Sequence, residues 1–336
     1  MNEANLQTEV CGLCGAASDL VLRDHWGFKA PTTFNIFHCV NCDTRFAAPM
    51  QVDSQVYDLI YRNAAQVPGY DRYARYRHQL TQASNPLSYL AQREDIYWSI
   101  AHVLAAQSRE SLRILEVGSG LGYLTYALNR AGYQCDGIDI SSEAVAAARR
   151  EFGEFYSVRD LASMESVGEG YDVVIATELI EHVPDPQAML GHMQRLLKPG
   201  GSVVLTTPDM ELYSRRYAWH TDPAPVHFWW FSKTSLRRMA WQAGMEVRFV
   251  DFHHYFGVRR RPAVASKPQT FGADGAIVFR DSWLNGFARR CVARWPSVFK
   301  RLAQMYIAAR ALGKLRSDLY NDSMILCVVL RQPGRG

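Results

Sequence analysis

Three groups of residues in this 336-residue chain have the types and spacing that chemistry requires. The first is four cysteines, in "CGLCG" at 11–15 and "HCVNCD" at 38–43, with 24 residues between Cys14 and Cys39. Thiolates at i and i+3 can turn toward one metal ion, and two such pairs complete a closed tetrahedral site. A closed site has no open position for a substrate. Cys11, Cys14, Cys39 and Cys42 are therefore expected to hold a structural zinc, with free or redox thiols as the competing reading. His25 and His38 lie nearby, but four sulfurs suffice. The second group is "EVGSGLG" at 116–122, followed by Asp139. Glycines let a backbone approach a ligand closely, and a carboxylate at a strand end can accept two hydrogen bonds from a vicinal diol. The third is His182 in "ELIEHVPDP" and His227 in "PAPVHFWWFS", imidazoles able to take up a proton near neutral pH.

The elements that must position these groups are legible around them. "RILEV" reads as a short buried strand, "YLTYALNRAG" as a helix with Gly132 near its end, and "YQCDGID" as a second strand ending in Asp139. Strand, glycine turn and helix alone are shared with dinucleotide enzymes. Their G-x-G-x-x-G fingerprint, started at Gly118, would place its third glycine at 123, which is Tyr. Here the spacing is G-x-G-x-G after an acid, Glu116.

That arrangement resembles motif I of the class I S-adenosylmethionine-dependent methyltransferases. The resemblance runs over about 112–251 and resumes at "SMILCVVLRQ". "FYSVRDL", "YDVVIATELIEHVPDP", "LLKPGGSVVLTTP" and "FSKTSLRRMAWQAGMEVRFVDF" come in the family's order. It implies an α/β fold with a Rossmann-like seven-stranded sheet ordered 3-2-1-4-5-7-6. Asp139 would hold both ribose hydroxyls, and Asp160 would lie near the adenine amine. Gly118, Ser119, Gly120, Gly122, Ile140 and Glu178 would line the cofactor. Glu116 would favour its positively charged amino-acid portion.

The segment after strand four narrows the acceptor. Relatives that methylate amines of bases or Gln carry an Asn/Asp-Pro-Pro-Tyr-type motif there, and this chain reads "ATELIEHVPDP". The carbon-5 RNA type needs a nucleophilic cysteine near strands four and five, and none is present. The loop resembles instead small-molecule O- or C-methyltransferases of the quinone-biosynthesis type. A hydroxyl acceptor needs a base, for which His182 and His227 are the candidates, with Tyr73, Trp229 and Trp230 on the acceptor side. Each has a plainer reading: His182 orders the loop ahead of Pro184 and Pro186, and the aromatics pack. No Asp/Glu cluster with metal-ligand spacing is visible in this domain, so metal-independent acid–base transfer is expected.

The chain divides into three regions: a zinc-ribbon lobe at 1–50, a helical connector or lid at 51–108, and a cofactor-binding domain at 109–336 carrying a helical basic insertion at 253–322. In the connector Tyr57 and Tyr61 lie four apart on one face, and Tyr70, Tyr73 and Tyr76 recur every third residue. They either pack the connector down or line a pocket. Between 257 and 317 stand 13 Lys/Arg and two Asp, on a chain whose net charge is only +4. This stretch suits a cap helix on the domain or on a second subunit, attraction to an anionic acceptor, or a peripheral contact with an acidic membrane surface. Nucleic acid fits less well, because aromatics interleave poorly with the basic residues.

Apolar content of 48% and charged content of 21% suit a soluble globular protein. The start lacks the pattern of a signal peptide, and no run approaches 18 apolar residues, so a cytoplasmic location is expected. There, paired Cys-x-x-Cys motifs favour metal over disulfides, and Cys135, Cys291 and Cys327 read as packing residues. The expected function is methyl transfer from S-adenosylmethionine to a hydroxyl, or less favourably a carbon, of a sugar, glycan precursor or secondary metabolite. An RNA or protein methyltransferase using the ribbon and insertion, and a non-catalytic cofactor-binding interaction protein, are the alternatives.

Overall fold

The computed structural model describes residues 8–53, 56–57, 60, 71–106, 112–164, 170–212, 223–252, 255, 269–271, 277–279 and 325–333, with side chains omitted at 71–75, 212, 269–271 and 277–279. Tyr61, Tyr70, Cys291, the Tyr73 side chain and most of the 253–322 insertion lie outside this set.

The central sheet is built from β5 (Arg113–Val117), β6 (Gln134–Asp139), β7 (Tyr156–Val158), β8 (Tyr171–Thr177), β9 (Leu197–Pro208), β11 (Glu246–Phe249) and β14 (Ile325–Arg331). Its order is β7-β6-β5-β8-β9-β14-β11, with β5 to β9 parallel and β14 and β11 antiparallel. This is the 3-2-1-4-5-7-6 order that the resemblance implied. The period of two along each strand divides the side chains between two cores. Ile114, Val173, Ile175, Val204, Cys327 and Val329 pack on one side, and Leu115, Val117, Val174, Ala176, Val203, Leu205 and Val328 on the other.

The first core is covered by α1 (Asp71–Gln82), α2 (Pro86–Ala91), α3 (Asp95–Ala105), α4 (Tyr123–Arg130) and α5 (Ser142–Phe152). Within the helical connector, the chain is broken at 92–94 between α2 and α3. Glu94 is extended, at φ −133°, and its buried carboxylate accepts the Tyr76 hydroxyl. Tyr76 also meets Tyr123 edge-on, which seats the connector on the first turn of α4.

The second core is covered by α6 (Pro186–Arg195) and α7 (Lys233–Gln242), and it is continuous with the N-terminal lobe. The lobe is a meander of β1 (Thr8–Val10), β2 (Ala17–Trp26), β3 (Thr33–Cys39) and β4 (Thr44–Ala48). Its fifth strand, β10 (Trp229–Trp230), comes from the far side of the chain and pairs antiparallel with β4. In the insertion, the described residues are Tyr255 and an antiparallel pair, β12 (Gln269–Phe271) and β13 (Ile277–Phe279). The helix expected after Pro296 lies outside the described residues. Among those residues, no helix is long and apolar enough to cross a membrane.

Candidate functional site

The four cysteines converge. Cys11 and Cys42 Sγ are 3.7 Å apart, Cys14 and Cys39 Sγ 3.4 Å, and all four sulfurs lie within 4.8 Å of one another. A disulfide would need about 2.05 Å. A tetrahedral zinc with bonds near 2.3 Å spaces its sulfurs by about 3.8 Å, so the donor set fits that ion. Gly15 closes the first knuckle at φ +73°, where its N–H donates to the Cys11 carbonyl. The Cys42 thiol hydrogen bond pulls Cys11 down to about 5, which favours a thiolate in the cluster. His38 pairs with Asp43 at 3.0 Å and stays outside the ligand set.

At the carboxyl ends of the parallel strands lies the second constellation, where open α/β sheets bind ligands. The turn after β5 has Gly118, Gly120 and Gly122 at positive φ. Leu179 covers Gly118 so closely that an added Cβ would stand 2.7 Å from its side chain. The Tyr156 hydroxyl donates to the Gly122 carbonyl at 2.7 Å and props the turn from below. Asp139 Oδ2 accepts from the Gly120 N–H and Oδ1 from the Ser141 N–H, both at 2.8 Å. Each oxygen keeps further lone-pair capacity for a diol, while burial raises the carboxyl's pKa. The Ser119 hydroxyl is buried with no hydrogen-bond partner among the described residues, as expected of an atom that meets a ligand. Ile140 is 79% exposed beside Asp139 and offers an apolar surface. Glu178, just past β8, adopts φ +47° and donates its N–H to Thr206.

Two cofactor expectations change in detail. The Glu116 carboxyl is buried beneath the turn and accepts from the Thr125 hydroxyl at 2.5 Å. Burial pushes its pKa up to about 8. That shift favours the protonated carboxyl at neutral pH, which weakens its attraction for a cation. Asp160 caps its own short turn, accepting from the Ala162 N–H at 3.0 Å, and is exposed just past β7.

The two candidate bases come together. The rings of His182 and His227 meet edge-on with centroids 4.6 Å apart. His182 Nδ1 lies 2.7 Å from the Val226 carbonyl and 3.3 Å from the Tyr57 hydroxyl, and Nε2 lies 4.0 Å from Glu181 Oε1. A carbonyl only accepts, so Nδ1 carries the proton and Nε2 the lone pair. His227 is buried, which drives its pKa down to about 3 and keeps it neutral over the working range. Such a weak base accepts protons poorly. Glu181, also buried, is the residue that sequence reasoning missed, and Tyr57, one of the connector tyrosines, is the one that reaches this pair. Glu181 sits beside His182 in the quoted motif, and Tyr57 was legible only as one face of a helix.

The expectation of no metal-ligating cluster in this domain also changes. Ligand atoms of Glu181, His182 and His227 lie within 4.8 Å of one another, an N₂O set contributed by segments 45 residues apart. Of the two tryptophans expected on the acceptor side, Trp229 follows the plainer packing reading. Trp229 is 1% exposed and locked between the domain and the lobe, so it has no face to give a substrate. Trp230 is 4% exposed, and its indole N–H has no acceptor among the described residues.

Residues 89–249 match the family model described as a methyltransferase domain. The chain is 40% identical over 114 residues to the ubiquinone biosynthesis O-methyltransferase of Xanthomonas oryzae pv. oryzae (strain PXO99A), covering 32% of this chain and 47% of that protein. It is 41% identical over 97 residues to the protein of the same name from Paramagnetospirillum magneticum, covering 27% and 39%. The chain thus spans about half the length, or less, of these curated relatives. A solved S-adenosylmethionine-dependent methyltransferase from Mesorhizobium loti aligns at 16% identity and a TM-score of 0.41, covering 70% of this chain and 98% of that one. With the glycine turn, the Asp139 acid and the strand order in place, residues 89–249 form a methyltransferase domain with the features of the class I S-adenosylmethionine-dependent type.

Proposed function

We propose that this protein transfers a methyl group from S-adenosylmethionine to a hydroxyl of a small molecule, with His182 as the proton acceptor. The observation that carries this reading is the His182 geometry: Nδ1 is pinned on the Val226 carbonyl, so Nε2 is the basic nitrogen, at the same sheet edge as Asp139. Bound S-adenosylmethionine supplies an electrophilic methyl on a sulfonium. The Gly118–Gly122 turn, Ser119 and Asp139 would hold it, with Ile140, Glu178 and Asp160 along its length. His182 Nε2 would take the hydroxyl proton as the oxygen attacks, and the Glu181 carboxylate would stabilise the resulting imidazolium. Tyr57 would bring the connector over the acceptor, as a lid. Cys11, Cys14, Cys39 and Cys42 would hold a structural zinc.

The matched relatives are named for O-methylation, which supports oxygen as the receiving atom. A sugar, glycan precursor or secondary metabolite is the proposed acceptor class, in the cytoplasm, with the basic insertion bearing on an anionic acceptor, a membrane surface or a second subunit. Steep salt-dependent RNA binding would favour the RNA alternative instead. Calorimetry with S-adenosylmethionine tests the cofactor half; mass spectrometry of metabolites incubated with a labelled donor tests the acceptor half. Binding without turnover on any acceptor would favour an interaction module.

One observation supports a second mechanism for the same transfer. The Glu181, His182 and His227 atoms could hold a divalent ion that polarises the acceptor oxygen. Activity that falls on chelation and returns with added Mn²⁺ or Mg²⁺, while zinc in the lobe stays bound, would select it over His182 as base.

A further inference from the structure

The loop that carries His182 is held at three successive residues by one segment. The Val226 carbonyl meets His182 Nδ1 at 2.7 Å, the Phe228 N–H donates to the Glu181 carbonyl at 2.9 Å, and the Trp229 indole N–H donates to the Val183 carbonyl at 2.9 Å. The same segment is the edge strand of the four-cysteine lobe. Trp229 pairs with Phe46 and Trp230 with Arg45. The Ala47 N–H donates to the Phe228 carbonyl at 2.8 Å, and the Thr44 hydroxyl to the Trp230 carbonyl at 3.0 Å.

Trp229 joins the two sides through its ring. The indole packs on Phe46 with centroids 5.5 Å apart, and its Cη2 would stand 3.2 Å from a Cβ added at Gly12, inside the first knuckle between Cys11 and Cys14. One rigid, fully buried ring therefore touches the cysteine knuckle on one side and the His182 loop on the other. Close-packed interiors pass displacements along because they have no slack to absorb them.

We infer that Trp229 is a positioning residue that ties the cysteine lobe to the His182–His227 pair, so that the lobe's metal-held geometry sets the tautomer and placement of His182. This rests on the reading of His182 as proton acceptor. It makes the lobe part of the working site rather than a remote staple.

The test uses the full chain, with ¹⁵N-labelled histidines and the His182 signals assigned by loss in His182→Gln. Two variants approach the ring from opposite ends. Trp229→Phe keeps an aromatic ring but removes the donor to Val183; Gly12→Ala pushes on the ring from the knuckle. Both should fold by circular dichroism and retain zinc. The expected result is that each shifts the His182 ring nitrogens away from the pure Nδ1–H pattern and lowers kcat about tenfold or more, with the calorimetric Kd for S-adenosylmethionine within about twofold of wild type. Removing zinc with a chelator should give the same nitrogen shift. The inference is overturned if either variant folds with zinc bound and leaves the His182 nitrogens as in the wild type. It is equally overturned if kcat falls only in step with the folded fraction. If the nitrogens shift while no acceptor is ever methylated, the coupling stands and the catalytic reading of His182 fails.

Discussion

His227 meets His182 edge-on at 4.6 Å between ring centroids, yet the two imidazoles have opposite environments. His182 keeps 13% of its side chain exposed and is pinned through Nδ1, whereas His227 is sealed in and neutral. On the proposed mechanism the arrangement would divide the work, one ring exchanging a proton and the other shaping the pocket around it. His182→Gln should lower kcat by about 100-fold or more with little change in cofactor affinity, measured by single-turnover kinetics and calorimetry. An undiminished kcat would remove His182 from the mechanism.

Burial of His227 also makes an acid-stability prediction. Its folded pKa, about 3, lies below the unfolded value of 6.5, so between these the unfolded chain binds more protons and stability falls as pH falls. Relative to His227→Asn, the wild type should lose about 2 kcal/mol between pH 7 and pH 5. Denaturant titrations at the two pH values check this; parallel losses in both proteins would show that His227 does not titrate as described.

Glu116 predicts the opposite sign. Its folded pKa, about 8, lies above the ordinary 4.5, so the folded chain holds the proton more tightly and stability is lost as pH rises between those values. Glu116→Gln keeps the shape without the titration. Its stability relative to wild type should therefore increase from pH 5 to pH 8.5, by at most about 4 kcal/mol. Thermal melts across that window would refute the buried neutral acid if the difference stayed flat.

At the cofactor edge, Asp139→Asn replaces an acceptor-only carboxylate with a group that must turn an NH₂ toward the Gly120 or Ser141 N–H. The lost charge-assisted hydrogen bonds and the donor clash should weaken S-adenosylmethionine binding about 10- to 100-fold, read by calorimetry. Unchanged affinity would mean that the cofactor does not use this acid.

In the lobe, Cys42→Ser should abolish stoichiometric zinc, measured by elemental analysis, and lower the melting temperature, because the sulfurs at 3.4–3.7 Å fit one closed site. A variant with full zinc content would contradict the four-sulfur ligand set.

Legibility in the sequence tracks the range of the interactions. The glycine turn, Asp139 and the alternating strands are local patterns, and they appear where the residues imply; the strand order came with the family resemblance and agrees with the observed sheet. The cysteine spacing announced the cluster for the same reason. Trp229 was misread because β10 is only two residues long and pairs with a strand some 180 residues earlier, a contact without local periodicity. Glu181 was missed because its importance lies in tertiary neighbours, Tyr57 could be read only as packing or pocket-lining until its contact with His182 was seen, and the break at Glu94 escaped because a buried Tyr76 hydroxyl, not a turn residue, holds it.

The most direct test of methyl transfer to oxygen is incubation of the purified chain with cell-extract metabolites and a methyl-deuterated S-adenosylmethionine, followed by mass spectrometry. The account predicts a small molecule bearing one deuterated methyl on an oxygen, formed by the wild type and lost with His182→Gln and Asp139→Asn. Labelled donor that is bound but never consumed, or label found only in RNA or protein, would contradict it.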